Sequence, residues 1–203
     1  MLKKIFILIG GIFLVLAAVM VLLMRGPDLT RFEHLREPQI RVMENQRVIV
    51  VDAKGDPNVV AGKAFGLLFR TYFKIKGVPR GPNMPAPRAR WPLKPETQGI
   101  EWRGLYAMPV PQGTTILPTV KHDPEMTVRL EIWEYGTVAE ILHIGPYDRE
   151  EPDIGRLTAF IKDKGYSIVG DHEEEYLKGP GMFSKGNPEK YYTIIRYRVE
   201  KAQ

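Results

Sequence analysis

At 203 residues the chain has room for one domain or two. It contains no cysteine, which excludes disulfides, thiolate metal sites and a cysteine nucleophile. The formal charge of +5 is unevenly spread: Lys63, Arg70, Lys74, Lys76, Arg80, Arg88, Arg90 and Lys94 stand between Asp56 and Glu96 with no acidic residue among them. Such a stretch reads as a solvated helix face followed by a basic loop, or as a docking surface for an anionic partner, of which lipid headgroups are the better candidate.

Ile5 to Met24 is uncharged and long enough to cross a bilayer as a helix. It is followed by Arg25 with no small-residue cleavage site, so residues 1–25 read as an uncleaved transmembrane signal anchor. Lys3 and Lys4 suit an amino terminus in the cytoplasm. Arg25, Arg31, Arg36 and Arg41 follow the span, but large domains translocate largely regardless of charge, and the expectation is a single-pass protein with an extracytoplasmic domain. Residues 26–39 are polar and read as a linker.

From Ile40 to Val51 the chain is rich in valine and isoleucine, which predicts a strand or a pair of strands. Asp56-Pro57-Asn58 is a turn and helix start, and Phe65, Leu68, Tyr72 and Ile75 then share one helical face up to the stop at Gly77 and Pro79. Six prolines in the stretch from Gly77 through Pro95 predict a long loop that is neither helix nor central strand. Ile100 to Val110 reads as a strand closing the first unit.

The second unit opens with Thr127 to Trp133, a turn at Glu134-Tyr135-Gly136, and Thr137 to His143 returning as a hairpin. Asp148, Glu150, Glu151 and Asp153 precede or begin a helix with Ile154, Leu157 and Ile161 on one face, where carboxylates offset the positive end of the dipole. Ser167 to Val169 and Tyr191 to Val199 are the last strands. Val138 to Tyr166 repeats, about ninety residues on, the order of strand, Gly/Pro turn and helix that begins at Val48. The pattern predicts an α+β fold of two duplicated units, about 40–110 and 127–199 within a domain of residues 40–203, each strand-strand-helix-strand-strand, preceded by one transmembrane helix.

No nucleophile motif is present, and the serines, Ser167 and Ser184, stand beside no motif-like histidine. His34, His122, His143 and His172 lack metal-ligand spacing; His172, among Asp171, Glu173, Glu174 and Glu175, reads as part of a solvated acidic turn. No cofactor, no metal and no direct nucleic-acid binding are expected. Trp102, Tyr106, Trp133, Tyr135, Tyr147, Tyr176, Tyr191, Tyr192 and Tyr197 lie on strands or at their ends, the residue types of an apolar pocket with a few placed polar groups.

His143-Ile-Gly-Pro-Tyr147, the helix after it, Glu175-Tyr176-Leu177, the Asn187-Pro188 turn and the strand Tyr192 to Val199 together resemble the GyrI-like domain, the effector-binding domain of AraC-type and multidrug-responsive regulators. The resemblance covers roughly Glu37 to Val199. It implies duplicated βαββ units forming an antiparallel sheet around a central cleft for hydrophobic, often cationic small molecules, and in some members a hydrolase using a cleft glutamate. Thr193 matches the last-strand threonine, but Ile194 stands where the family has glutamate, which leaves Glu175 as the candidate carboxylate and candidate catalytic residue. Arg196 and Arg198, on the Ile194 face, point to a neutral or anionic ligand. The residues expected to contact a small hydrophobic ligand are Trp102, Tyr106, Trp133, Tyr147, Glu175, Tyr192 and Arg196. The alternatives are a glutamate-dependent hydrolase and a lipid- or partner-docking protein working through residues 63–94.

Overall fold

The computed structural model describes residues 28–92, 102–121, 125–180 and 186–202. Among them, Asp28 and Pro79–Met84 belong to one compact unit and the remainder to another. The smaller unit holds a 3-10 turn, Gly81–Asn83, closed by the Met84 N–H donating to the Gly81 carbonyl. No helix among the described residues is long and apolar enough to cross a membrane, and the span expected over residues 5–24 lies outside them.

In the larger unit Gln39–Met43 (β1) and Gln46–Lys54 (β2) precede the helix Pro57–Tyr72 (α1), followed by Arg88–Trp91 (β3) and Arg103–Pro109 (β4). Val128–Trp133 (β5) and Gly136–Ile144 (β6) precede Glu151–Asp163 (α2), then Tyr166–Ile168 (β7), His172–Lys178 (β8) and Tyr192–Lys201 (β9). The order β1-β6-β9-β8-β3-β4-β2-β5 makes one antiparallel sheet, with β7 added on β9. This order is a palindrome of the duplication, with the pseudo-twofold between β8 and β3, and each half ends in the leading strand of the other. β1 pairs with β6 and β5 pairs with β2, so the expected Thr127–His143 hairpin does not form. The chain instead crosses between halves at residues 44–45 and 134–135, and the two crossings are joined by the Tyr135 N–H donating to Asn45 Oδ1 at 3.0 Å.

Two further expectations are corrected. The proline-rich stretch contains a central strand, β3, between β4 and β8. Pro87 and Pro92 flank it, so every residue paired within it keeps its N–H. The acidic run around His172 is not a solvated turn but β8, with Glu173 and Glu174 buried.

Both helices cover one face. Leu157 and Ile161 of α2 bury against Ala139, Ile141, Ile195 and Val199. α1 buries Ala64, Leu67, Leu68 and Tyr72, and ends at Tyr72, before the predicted stop. Pro57 occupies its first turn, and the Asn58 N–H donates to Asp56 Oδ1 at 2.9 Å. Asp56→Ala is expected to cost about 1 kcal/mol in a urea titration; an unchanged midpoint would show that the cap contributes nothing. The opposite face, helix-free in that no α-helix among the described residues covers it, carries Met43, Val48, Val50, Ala107, Trp133, Tyr135 and Val138 at one end. At its other end Leu35, from the 3-10 helix Thr30–Arg36, packs on Leu142, Leu177 and Ile194.

Candidate functional site

Alternation along β8 and β9 decides which face each candidate occupies. Glu175 pairs with Ile194 and Glu173 with Arg196, and all four point to the helix-free face. There Arg196, 1% exposed, donates from Nε to Glu140 Oε2 at 2.9 Å, from Nη1 to Glu173 Oε1 at 2.7 Å and from Nη2 to Glu175 Oε2 at 3.0 Å. Arg88 Nη2 meets the same Glu175 oxygen at 3.1 Å, Arg90 Nε donates to Glu173 Oε2 at 2.7 Å, and Arg41 pairs with Glu140. Tyr135 links the group, accepting from Arg88 Nη1 at 2.6 Å and donating to Glu173 Oε1 at 3.0 Å. The Arg90 guanidinium also lies 4.0 Å over the Trp133 ring.

Burial alone would raise the Glu175 pKa, but Arg88 and Arg196 outweigh it and hold it below the usual range. The same balance lowers Glu173, through Arg196, Arg88 and Arg90. Burial would lower the Arg196 pKa, and Glu175, Glu173 and Glu140 raise it instead. Glu175, the candidate catalytic carboxylate, is therefore a paired carboxylate on the helix-free face. Arg196 is satisfied by three carboxylates and offers no charge to an anionic ligand. Arg88 and Arg90 belong to this cluster, which removes them from the basic stretch read in the sequence.

The helix face of the same central strands holds the other residues. Trp91 of β3 touches Trp102 edge-on at 5.9 Å between centroids and Tyr106 of β4 at 5.9 Å. Phe65 of α1 meets Tyr106 at 5.2 Å and Tyr176 of β8 at 5.7 Å. Tyr147, in the 3-10 turn before α2, meets Tyr176 at 5.4 Å and Tyr191 at 5.3 Å. Two glycines allow this closeness. A Cβ at Gly104 would lie 2.9 Å from the Tyr106 ring and 3.0 Å from Trp91, and one at Gly179 would lie 2.4 Å from the Tyr147 hydroxyl.

Among these rings sit Glu174, His172 and Glu150. Glu174 Oε1 accepts from Trp91 Nε1 at 2.8 Å and lies 3.0 Å from His172 Nε2; its Oε2 accepts from the Tyr176 hydroxyl at 2.7 Å. His172 Nδ1 lies 2.8 Å from the Tyr197 hydroxyl. Glu150, just before α2, is 6% exposed, and its Oε1 has no hydrogen-bond partner. Burial first, then the carboxylates of Glu174 and Asp153, push its pKa up to about 9, against a small opposite pull from Thr193. Burial also raises Tyr106 to about 12, and Tyr147 and Tyr176 well above the phenol range.

Of the residues expected to contact ligand, the structure brings Trp102, Tyr106 and Tyr147 into this aromatic chain. It places Trp133, Tyr192, Glu175 and Arg196 on the other face: Trp133 under Arg90, and Tyr192 beside the Leu35 cluster. Trp91, Phe65, Glu150 and Glu174 were not among the residues expected to contact ligand. The signal that could have found Glu174 is its parity with Tyr176, since residues two apart on a strand share a face. Glu150 gives no such signal, because a carboxylate near a helix start has an ordinary reason to be there.

No protein-family model and no curated protein matches the chain. Solved structures do. An uncharacterized conserved protein from Listeria innocua is 23% identical over 86% of this chain and 100% of its own, with a TM-score of 0.67. A hydrolase from Listeria innocua is 22% identical over 86% of this chain and 100% of its own, with a TM-score of 0.65. The EcmrR C-terminal domain is 14% identical over 82% of this chain and 98% of its own, with a TM-score of 0.54. With the duplicated units, the palindromic sheet and both helices on one face, these likenesses give the chain the GyrI-like fold.

Proposed function

We propose that the chain is a membrane-anchored binding domain that takes a small, largely hydrophobic and cationic molecule on the helix face, among Trp91, Trp102, Tyr106, Tyr147 and Tyr176. The observation that carries this reading is Glu150: a buried carboxyl with an unpartnered oxygen, beside the Glu174 carboxylate and near Tyr147 and Tyr176. Such a group costs stability unless something compensates it, and an organic cation would do so while its apolar body displaced ring-to-ring contacts. The rings touch one another end to end, so binding parts them and the ligand replaces their contacts. The anchor over residues 1–25 and the extracytoplasmic placement are part of the proposal.

Calorimetry with an aromatic quaternary ammonium and its neutral isostere tests the reading. The cation is expected to bind at least tenfold more tightly than the isostere, and Tyr147→Ala to weaken it about tenfold. Equal binding of the two compounds, or a Tyr147→Ala variant that binds normally, would refute it. A hydrolase alternative moves from Glu175 to Glu150, whose carboxyl, protonated near neutrality, is placed to act as a general acid. Turnover of an ester or activated-ring substrate that Glu150→Gln abolishes would favour that alternative.

A further inference from the structure

We infer that Glu150, His172 and Glu174 form a binding site for a divalent transition metal of the Zn2+ class. The inference goes beyond the organic ligand and does not require one. One ligand atom from each residue, two carboxylate oxygens and an imidazole nitrogen, lies within 4.8 Å of the others. A bound ion takes such atoms at about 2.0–2.2 Å, so a small inward rotation of the side chains completes three protein ligands and leaves a fourth position open. Imidazole with carboxylate suits Zn2+ and its neighbours better than Ca2+ or Mg2+, which call for oxygen alone.

Two independent features point to a cation here. Glu150 is buried, at 6% exposure, and its Oε1 meets no donor. The other two ligands are already held by outer partners in the manner of metal sites. When the Tyr197 hydroxyl accepts from His172 Nδ1, Nε2 turns its lone pair toward Glu174 Oε1, 3.0 Å away, an approach that a shared cation makes favourable. Glu174 is oriented through both oxygens, by Trp91 Nε1 at 2.8 Å and the Tyr176 hydroxyl at 2.7 Å. The ion displaces the Glu150 proton, and two carboxylates and a neutral imidazole then match the charge of a divalent ion.

The experiment is titration of the full chain in detergent with Zn2+, and with Co2+ followed by its visible absorption. One ion per chain is expected, with a Co2+ spectrum of nitrogen–oxygen ligation. His172→Gln and Glu174→Gln are each expected to lower Zn2+ affinity about a hundredfold, and Tyr197→Phe about tenfold, the range seen when a supporting hydrogen bond is lost. Melting of each variant in chelator shows whether it is folded. Tyr147→Ala separates this inference from the preceding one: it weakens the organic cation and leaves Zn2+ affinity unchanged, while His172→Gln does the reverse. Absence of Zn2+ binding to the folded wild-type chain, or binding that folded His172→Gln and Glu174→Gln both retain, overturns the inference.

Discussion

Arg196→Met is expected to destabilise the fold by about 3–5 kcal/mol in denaturant unfolding at neutral pH. The substitution removes the one cation shared by Glu140, Glu173 and Glu175, and Glu140 and Glu173 are 1% and 2% exposed. The cost lies less in lost attraction than in three carboxylates left with fewer cations than charges in a place that water does not reach, Arg41, Arg88 and Arg90 remaining at their edges. The pH dependence follows from the direction of the shifts. In the wild-type chain Glu173 and Glu175 are held below their ordinary value of 4.5, so their contribution is complete above that value and is lost as pH falls through the depressed folded values. In the variant the same carboxyls are pushed upward by burial, and the deficit shrinks on acidification as they become neutral. A deficit under 1 kcal/mol, or one that grows as pH falls from 7 to 4, would mean that Arg88, Arg90 and Arg41 suffice without Arg196.

Glu150→Gln is expected to act in the opposite direction. Its carboxyl has a folded value of about 9 against an ordinary 4.5. Such a group stabilises the fold fully below 4.5, loses that contribution as pH rises towards about 9, and is flat above it. The shift sets a ceiling of about 6 kcal/mol on the loss across this window, and protein interiors respond enough to reduce it to about 2–3 kcal/mol. In chelator, the glutamine variant is therefore expected to be the more stable chain at pH 8 by about 2–3 kcal/mol, with near parity at pH 4.5, and to bind the organic cation poorly. Higher stability with lower affinity is the signature of a group retained for binding. A variant equal to wild type at pH 8, or less stable there, would place Glu150 among ordinary structural residues.

Much of the fold was legible because it follows from period and punctuation. Valine and isoleucine around Val48–Val51, the helical face through Leu68 and Tyr72, and the Gly145-Pro146 turn before α2 each signal their element locally. The partners of β5 and β6 were not legible: a strand, a short turn and a strand look alike whether the strands pair with each other or with distant copies. β8 was hidden by its composition, since three consecutive glutamates read as solvated. Their strand conformation is supported from outside the segment, by Arg88, Arg90 and Arg196 on one face and Trp91 on the other, where Tyr176 of β8 itself also donates to Glu174. The site shows how narrow the margin is. Glu174 and Glu175 are chemically alike and adjacent, and only the parity of the strand sends one among the aromatic rings and the other into an arginine cluster. Reading Tyr176 as a ligand-facing residue would have assigned Glu174 to the same face.

The exchange of leading strands bears on how the chain is made. Arg41 in β1 and its partner Glu140 in β6 are 99 positions apart, and β2 lacks its outer neighbour until β5 exists. Emerging from the ribosome, the first half can form α1 and its local strand pairs but cannot complete its edges, and β1 waits for a strand not yet synthesised. Closing such long loops before any contact rewards them makes folding slow and late. A nascent chain arrested before β6 would therefore remain open to proteolysis, and protection would arrive in one step once β9 is free to join.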